Sequence, residues 1–401
     1  MPQPIPKKIV QAKPELAEKT FNTLLIDGSN LLEISYNGDK RCNSEGKQVG
    51  GIFQFLLQIK ILLQKGNFDY VYTFWDGDKS GQMRYDLYPL YKANRDKTFD
   101  EPNLSDYSKS VNETVRQMMK WAKEKQAKKR EENPEKYQQK LKDKEVFYFQ
   151  REAVMKCLEE LFVRQCISDG VEADDFIGYY VVHKKPNERI VILSGDRDLT
   201  QLIQKDVIVY CPSPNMKTFL NLENHKDLIG YRAENVLVKK IICGDVSDNI
   251  KGIKGVGEET LLKHFPELKE REVHLEEILE RSKQMIEERK ADKKKPLKWT
   301  ENIINRVTDG IQGEDIFEIN EKIINLRKPL LTPEAIEQID SMMYAPLDPD
   351  GRSLQNLYNI ILSYGIDELK DSNKFGNFFI EFKYLIDKEE KFFKRENSKN
   401  K

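Results

Sequence analysis

Three short apolar runs in the first half of the chain each end abruptly at aspartate. Thr23-Leu24-Leu25-Ile26 stops at Asp27-Gly28-Ser29-Asn30, Tyr70 to Trp75 stops at Asp76-Gly77-Asp78, and Arg189 to Leu193 stops at Ser194-Gly195-Asp196-Arg197-Asp198. Short apolar runs closed by Gly, Asp and Asn read as buried strands meeting loops, and the stretch from about Ile52 to Lys65 reads as a helix. The pattern predicts an α/β fold with a central, mainly parallel, twisted sheet flanked by helices. In such sheets ligands bind where loops leave the C-terminal strand ends, and here three strands deliver carboxylates to that edge.

Residues 1 to 20 hold four prolines, several lysines and little apolar content. Such a segment cannot bury enough surface to offset the entropy of ordering, which predicts a flexible arm. Between the second and third strands lies a long polar stretch, Asp96 to Gln150. Its part from Val115 to Arg151 has helical periodicity and carries twelve Lys and Arg against six Asp and Glu. Beyond Asp248 the pattern is helical again, with a charged linker around Lys290 to Lys298. The expected organisation is an arm at 1–20, a core at 21–243 containing the basic helical stretch at 96–151, and a helical C-terminal region at 244–401.

Composition narrows the class. The longest apolar runs, such as Ile52 to Leu63, are broken by Gln54, Gln58 and Lys60, short of the ~18 apolar residues that a membrane helix needs. No signal peptide is evident at the N-terminus. The five cysteines are widely spaced, without a C-x-x-C pair or a nearby histidine, which disfavours zinc and suits reduced thiols in a cytoplasm. The net charge of −1 argues against a nucleic-acid partner until the local basic surplus is considered, because sign is segregated along the chain.

The candidate chemistry is carboxylate. Asp27, Asp76, Glu172, Asp174, Asp175, Asp196, Asp198, Asp245 and Asp248 all sit in loops or helix starts beside apolar segments. Any one alone is better read as a helix cap or turn residue, and Asp78 and Asp86 are assigned to that class. Their coincidence across five loops is a different matter. Like charges within ~4–6 Å raise one another's pKa unless a cation neutralises them. All-oxygen ligands favour Mg2+, with Mn2+ as a substitute. Two such ions suit in-line attack on a phosphodiester.

Two further motifs fit a polyanionic substrate. In Tyr88-Pro89-Leu90-Tyr91-Lys92-Ala93-Asn94-Arg95, Arg95 can clamp phosphate oxygens, Lys92 can add a point charge, and Tyr91 can stack on a base; the plain alternative is a solvated surface with tyrosines facing the core. Gly244-Asp245-Val246-Ser247-Asp248-Asn249-Ile250 followed by Lys251-Gly252-Ile253-Lys254-Gly255-Val256-Gly257 implies a tight hairpin. Its glycines would let backbone N–H groups approach a phosphate, ahead of the positive end of the helix Glu258 to His264.

Together these residues resemble the 5' nuclease superfamily of structure-specific flap endonucleases and 5' to 3' exonucleases, which includes the N-terminal nuclease of bacterial DNA polymerase I. The carriers are GVEADD at 170–175, SGDRDL at 194–199, YKANR at 91–95 and GDVSDNIKGIKGVG at 244–257. Asp78-Lys79-Ser80-Gly81 and Cys211-Pro212-Ser213-Pro214 are similar to segments of the phage ribonuclease H branch, which removes RNA primers. The likeness covers about Phe21 to Phe265 and, more faintly, Ile323 to Leu369.

The resemblance implies a PIN-like core with a helical arch and a helix-hairpin-helix element at 244–265. It implies a first metal held by Asp27, Asp76, Glu172, Asp174 and Asp196, a second held by Asp198, Asp245 and Asp248, and Asp175 acting through water. It implies DNA contacts from Lys120, Lys123, Lys128, Lys129, Arg130, Gly252, Lys254, Gly255 and Gly257, and a K+ ion at the glycine hairpin. The expected activity is metal-dependent 5' to 3' exonuclease and flap endonuclease cleavage of DNA and RNA-DNA ends by a monomer, with single-strand binding protein and a sliding clamp as implied partners. The basic stretch is longer than the compact bacterial version. A catalytically inactive, structure-selective DNA-binding accessory is the alternative reading, and a phosphotransferase on a similar sheet leaves the glycine hairpin unexplained. Phe375, Phe378 and Phe379 either anchor a partner or close the C-terminal core.

Overall fold

The computed structural model of the chain describes residues 21–93, 120, 124, 127, 128, 131–308 and 315–399. The expected N-terminal arm and most of the basic stretch, with Arg95, Lys123, Lys129 and Arg130, lie outside the described residues.

The apolar runs form the inner strands of a six-stranded sheet. Its strands are β1 (Phe21–Asp27), β2 (Tyr70–Asp76), β3 (Arg164–Ser168), β4 (Glu188–Leu193), β5 (Val207–Cys211) and β6 (Thr218–Leu220), in the order β3-β2-β1-β4-β5-β6. All neighbours are parallel except β5 and β6. The central strands read as continuous apolar runs because both sheet faces are covered. Alternation sends Leu24 and Ile26 into one core and Leu25 into the other, as the two-residue period of a strand requires.

The helices described before the sheet's midpoint are α1 (Gly28–Gly38), α2 (Gly50–Leu63), α3 (Gln82–Leu87), α4 (Pro134–Glu160) and α5 (Ala173–His183). Those that follow are α6 (His225–Ile229), α7 (Val236–Cys243), α8 (Glu258–His264), α9 (Leu275–Ala291), α10 (Lys298–Ile304), α11 (Ile316–Ile324), α12 (Pro333–Met342), α13 (Leu354–Tyr364) and α14 (Ser372–Lys399). One sheet face packs on α1, α2, α4, α13 and α14, and the other packs on α5 and α12. A third core joins Tyr85, Tyr88, Leu90 and Tyr91 to α7, α8, α9, α10 and α11.

These cores correct the expected division at 243/244. The satellite core already includes Val238, Ile241 and Ile242, and after Ile324 the chain leaves it to cover the sheet again. The return is anchored by a buried ion pair: Arg164 of β3 donates to both carboxylate oxygens of Glu389 in α14, at 2.7 and 2.9 Å, and to the Ala345 carbonyl at 2.5 Å. Of the two readings of the C-terminal aromatics, core closure is the one observed, since Phe375, Phe378, Phe379 and Phe382 are all buried. Phe382→Ala should therefore cost about 3–5 kcal/mol by urea denaturation; an unchanged midpoint would make α14 dispensable to the fold.

Candidate active site

The strand order reverses between β1 and β4, because the chain runs outward from β1 through β2 to β3 and then crosses to β4 and β5. A crevice opens at the C-terminal ends of such a pair, and the carboxylates meet there. Asp27, at the end of β1, caps α1 by accepting from the Asn30 N–H at 3.1 Å, while Ser194 after β4 donates its hydroxyl to Asp27 Oδ2 at 2.8 Å. Asn30 Oδ1 accepts from Gly195 N–H at 2.8 Å, so both lips of the crevice are joined by side chains.

The neighbouring strands are drawn in the same way. Asp76 N–H donates to Ser29 Oγ at 2.9 Å, and Asp76 Oδ1 accepts from Ala173 N–H at 2.9 Å, which brings the start of α5, with Glu172 and Asp174, to the end of β2. Close backbone approach is essential here. A Cβ on Gly28 would lie 2.7 Å from Thr73 Cγ2, and one on Gly77 would lie 1.8 Å from the Ser168 carbonyl oxygen.

A cavity of about 520 Å³ is lined by Asp27, Asp76, Glu172, Asp174, Asp196, Asp198 and Asp248. The crowding is electrostatically costly. Burial, then the charges of Asp27, Asp196, Glu172 and Asp76, push Asp174 well above the ordinary carboxylate range. Asp27 rises to about 7 through burial and the nearby Asp76, against the hydrogen bonds from Asn30 and Ser194. Glu172 goes the other way. Burial would raise it, but Lys92 and Arg84 hold it at about 2, with Lys92 Nζ 2.5 Å from Oε1 and Arg84 2.8 Å from Oε2.

Asp198, Asp245 and Asp248 each place one oxygen within 4.8 Å of the other two, the tightest carboxylate group among the described residues. The Lys240 ammonium contacts Asp198 and lies 2.6 Å from Asp245 Oδ2. Asp245 is half-buried, which raises it, but Lys240 and Ser247 hold it at about 2. Asp198 stands at about 6, because burial and the adjacent Asp196 outweigh the same lysine.

Several expectations need correction. Asp175 does not face the cavity: Arg84 donates to both of its oxygens, at 2.5 and 3.0 Å, and Leu330 N–H donates at 2.9 Å, so its carboxylate orients Arg84. Tyr91 cannot stack on a base, since it is 3% exposed and directs its hydroxyl to Glu172 Oε2 at 3.0 Å. Lys92 stands at the cavity wall with left-handed backbone (φ 51°), its N–H donating to the Asp248 carbonyl at 2.7 Å. Lys120 and Lys128 are exposed, Lys128 3.8 Å from Glu132.

The glycine hairpin is also more structural than expected. Gly252 is consumed by packing, because a Cβ there would lie 2.1 Å from the Cys243 carbonyl carbon, whereas Lys254, Gly255 and Gly257 are exposed. The first turn of α8 carries Glu258 and Glu259, which already meet its positive end. Sequence reasoning counted Arg151 only within the basic stretch and passed over Arg84 and Lys240. Only Lys240 carried a signal, as a lysine inside the apolar segment Val236 to Cys243, five residues before Asp245.

The comparisons with known proteins follow this geometry. The N-terminal resolvase-like domain of 5'-3' exonucleases matches residues 22–126 and 103–230, together more than half of the chain. The chain is 26% identical over 253 residues to a 5'-3' exonuclease of Mycoplasmopsis pulmonis, covering 62% of this chain and 69% of that one. It is 37% identical over 127 residues to DNA polymerase I of Caldicellulosiruptor bescii, a match spanning 30% of this chain but only 15% of the polymerase. In fold it is similar to the 5'-exonuclease of phage T5 solved with zinc, at a TM-score of 0.51 and 15% identity over 86% of this chain and 98% of that one. The T5 flap endonuclease solved with DNA and metal ions gives a TM-score of 0.50 at 16% identity, over 86% of this chain and 100% of that one. The chain belongs to the 5'-3' exonuclease family: it is a 5' nuclease.

No helix among the described residues is long and apolar enough to cross a membrane. An all-oxygen donor set, crowded and short of positive charge, fits hard divalent cations. The pH dependence follows from the shifts. Asp27 stands at about 7 in the fold against an ordinary 3.8, so its contribution to stability is full below the lower value and lost as pH rises through the higher. Glu172 runs oppositely, contributing above 4.5 and losing that contribution as pH falls toward about 2. Mg2+ should therefore raise the melting temperature more at about pH 8 than at about pH 5; equal shifts in scanning fluorimetry would mean that the cation does not bind this cluster.

Proposed function

We propose that this chain is a structure-specific, metal-dependent 5' to 3' exonuclease and flap endonuclease that acts on DNA and RNA-DNA 5' ends, of the kind that removes RNA primers during phage DNA replication. The observation that carries the reading is the cavity at the β1/β4 reversal, where buried carboxylates repel one another without enough cationic partners.

Asp27, Asp76, Glu172, Asp174 and Asp196 would hold one divalent cation, and Asp198, Asp245 and Asp248 a second. Such a pair supplies an activated water and neutralises charge on the leaving oxygen during in-line displacement. The protein's own part is positioning. Ser194 and Asn30 donate to the Asp27 carboxylate, and Ser29 accepts from the Asp76 backbone N–H. Lys92, held at the wall by Glu172 and Asp248, directs an ammonium at the charge that grows on the phosphate. Arg95 would add a bidentate clamp. The cations of the 96–151 stretch, Lys120, Lys123, Lys128, Lys129 and Arg130 among them, would follow the backbone of the single strand without reading its sequence. Lys254 and the backbone at Gly255 and Gly257 would meet the duplex.

The purified chain should cut a labelled 5' flap carrying either DNA or RNA in Mg2+, and EDTA should stop it; a protein that binds the junction yet leaves it intact in Mg2+ would refute hydrolysis. Asp196→Asn should abolish cleavage while junction affinity changes only a few fold, and near wild-type turnover would remove Asp196 from the metal set. Lys92→Ala should slow single-turnover cleavage by about 100-fold, the scale of losing one preorganised donor; an unchanged rate would leave Lys92 a purely structural partner of Glu172.

A further inference from the structure

Helix α4 supplies the cavity wall formed by Lys144, Phe147, Tyr148 and Arg151. Residues 144, 148 and 151 are spaced i, i+4, i+7 and so share one helix face. Tyr148 is 44% exposed on this wall. Its ring centroid lies 5.6 Å from the Lys144 ammonium and 6.0 Å from the Arg151 guanidinium carbon.

This surface is rigidly mounted. Arg151 donates to the Asp76 carbonyl at 2.8 Å and lies 5.4 Å over the Trp75 ring, which ties it to the strand end bearing a candidate ligand. Phe147 packs edge-on against Tyr36 of α1 at 5.7 Å, so this turn of α4 is held against the helix that Asp27 caps. A lone tyrosine on a helix surface is ordinary; an exposed ring between two cations, fixed at the rim of a carboxylate cavity, has the chemistry of a nucleotide site. With Tyr91 buried against Glu172, Tyr148 is the ring the cavity offers to solvent.

We propose that Tyr148 is a stacking platform for the nucleobase next to the phosphate held at the carboxylates, with Lys144 and Arg151 drawing in the adjoining backbone phosphates. Every base has a π-face, so the platform positions a strand end without reading its sequence, and the flanking cations add an attraction that weakens with salt. Tyr148 is thus a substrate-positioning residue, and the proposal rests on the nuclease reading above.

The test uses the full chain and a 5' flap with 2-aminopurine at the nucleotides flanking the junction, with Ca2+ in place of Mg2+ for the binding measurement. Stacking should quench 2-aminopurine fluorescence on binding. Tyr148→Ala should lose most of that quench and raise KM for cleavage in Mg2+ by about 5- to 100-fold, with a smaller change in kcat. Tyr148→Phe, which keeps the ring, should rescue both. Unaltered quench and KM in Tyr148→Ala, or a Tyr148→Phe variant that behaves like it, would overturn the platform. A wild-type chain that shows the Tyr148-dependent quench but never cleaves would instead overturn the hydrolase reading and leave the platform standing.

Discussion

Repulsion among buried carboxylates at one edge of the sheet is the constraint that organises this molecule. The outer members of the group share three cations. Arg84 and Lys92 serve Glu172, Arg84 also serves Asp175, and Lys240 lies between Asp198 and Asp245. The inner members do not, and Asp27 and Asp174 hold their protons far more tightly than ordinary aspartates. The charge deficit is thereby concentrated at the reversal point of the strand order, where a mobile cation can reach it. Removing the cation partner of a buried charge costs several kcal/mol, and Arg84 and Lys240 are themselves buried and each engage two carboxylates.

The scaffold that enforces this crowding is made of short ties. Ser194 to Asp27, Asn30 to Gly195, Ser29 to Asp76 and Asp76 to Ala173 each connect one strand end to the next. Small residues let the backbones close in, as Gly28 and Gly77 do. The satellite core completes the site from outside the sheet, since α7 carries Lys240 and the hairpin after it carries Asp245 and Asp248. Its packing on Tyr85, Tyr88 and Tyr91 fixes the position of Lys92 relative to these carboxylates.

Much of this was legible in the chain. The three apolar runs that end in aspartate are β1, β2 and β4, and they could be read as buried strands because inner parallel strands are covered on both faces and so run apolar without a break. β3, β5 and β6 escaped notice. Arg164-Gln165-Cys166-Ile167-Ser168 holds a buried arginine and too few apolar residues to show the pattern. Roles decided by long-range partners were also hidden. Nothing local in Tyr91 or Asp175 reveals that Glu172 and Arg84 claim them, and Gly252 reads the same whether it faces a phosphate or the Cys243 carbonyl. The carboxylates were visible as a group because their chemistry is improbable in combination; of the cations that answer them, Lys92 was singled out, but for a phosphate rather than for Glu172, and Arg84 and Lys240 were not, because lysine and arginine are common everywhere.

The ion pair between Arg164 and Glu389 has a consequence for biosynthesis. β3 is an edge strand made of residues from the middle of the chain, yet its arginine is neutralised by Glu389 of α14, and α13 and α14 complete the cover of one sheet face. During translation the nuclease core would wait on the ribosome with a charged, apolar flank open until residues near Glu389 emerge, and exposed flanks of this kind are where nascent chains aggregate.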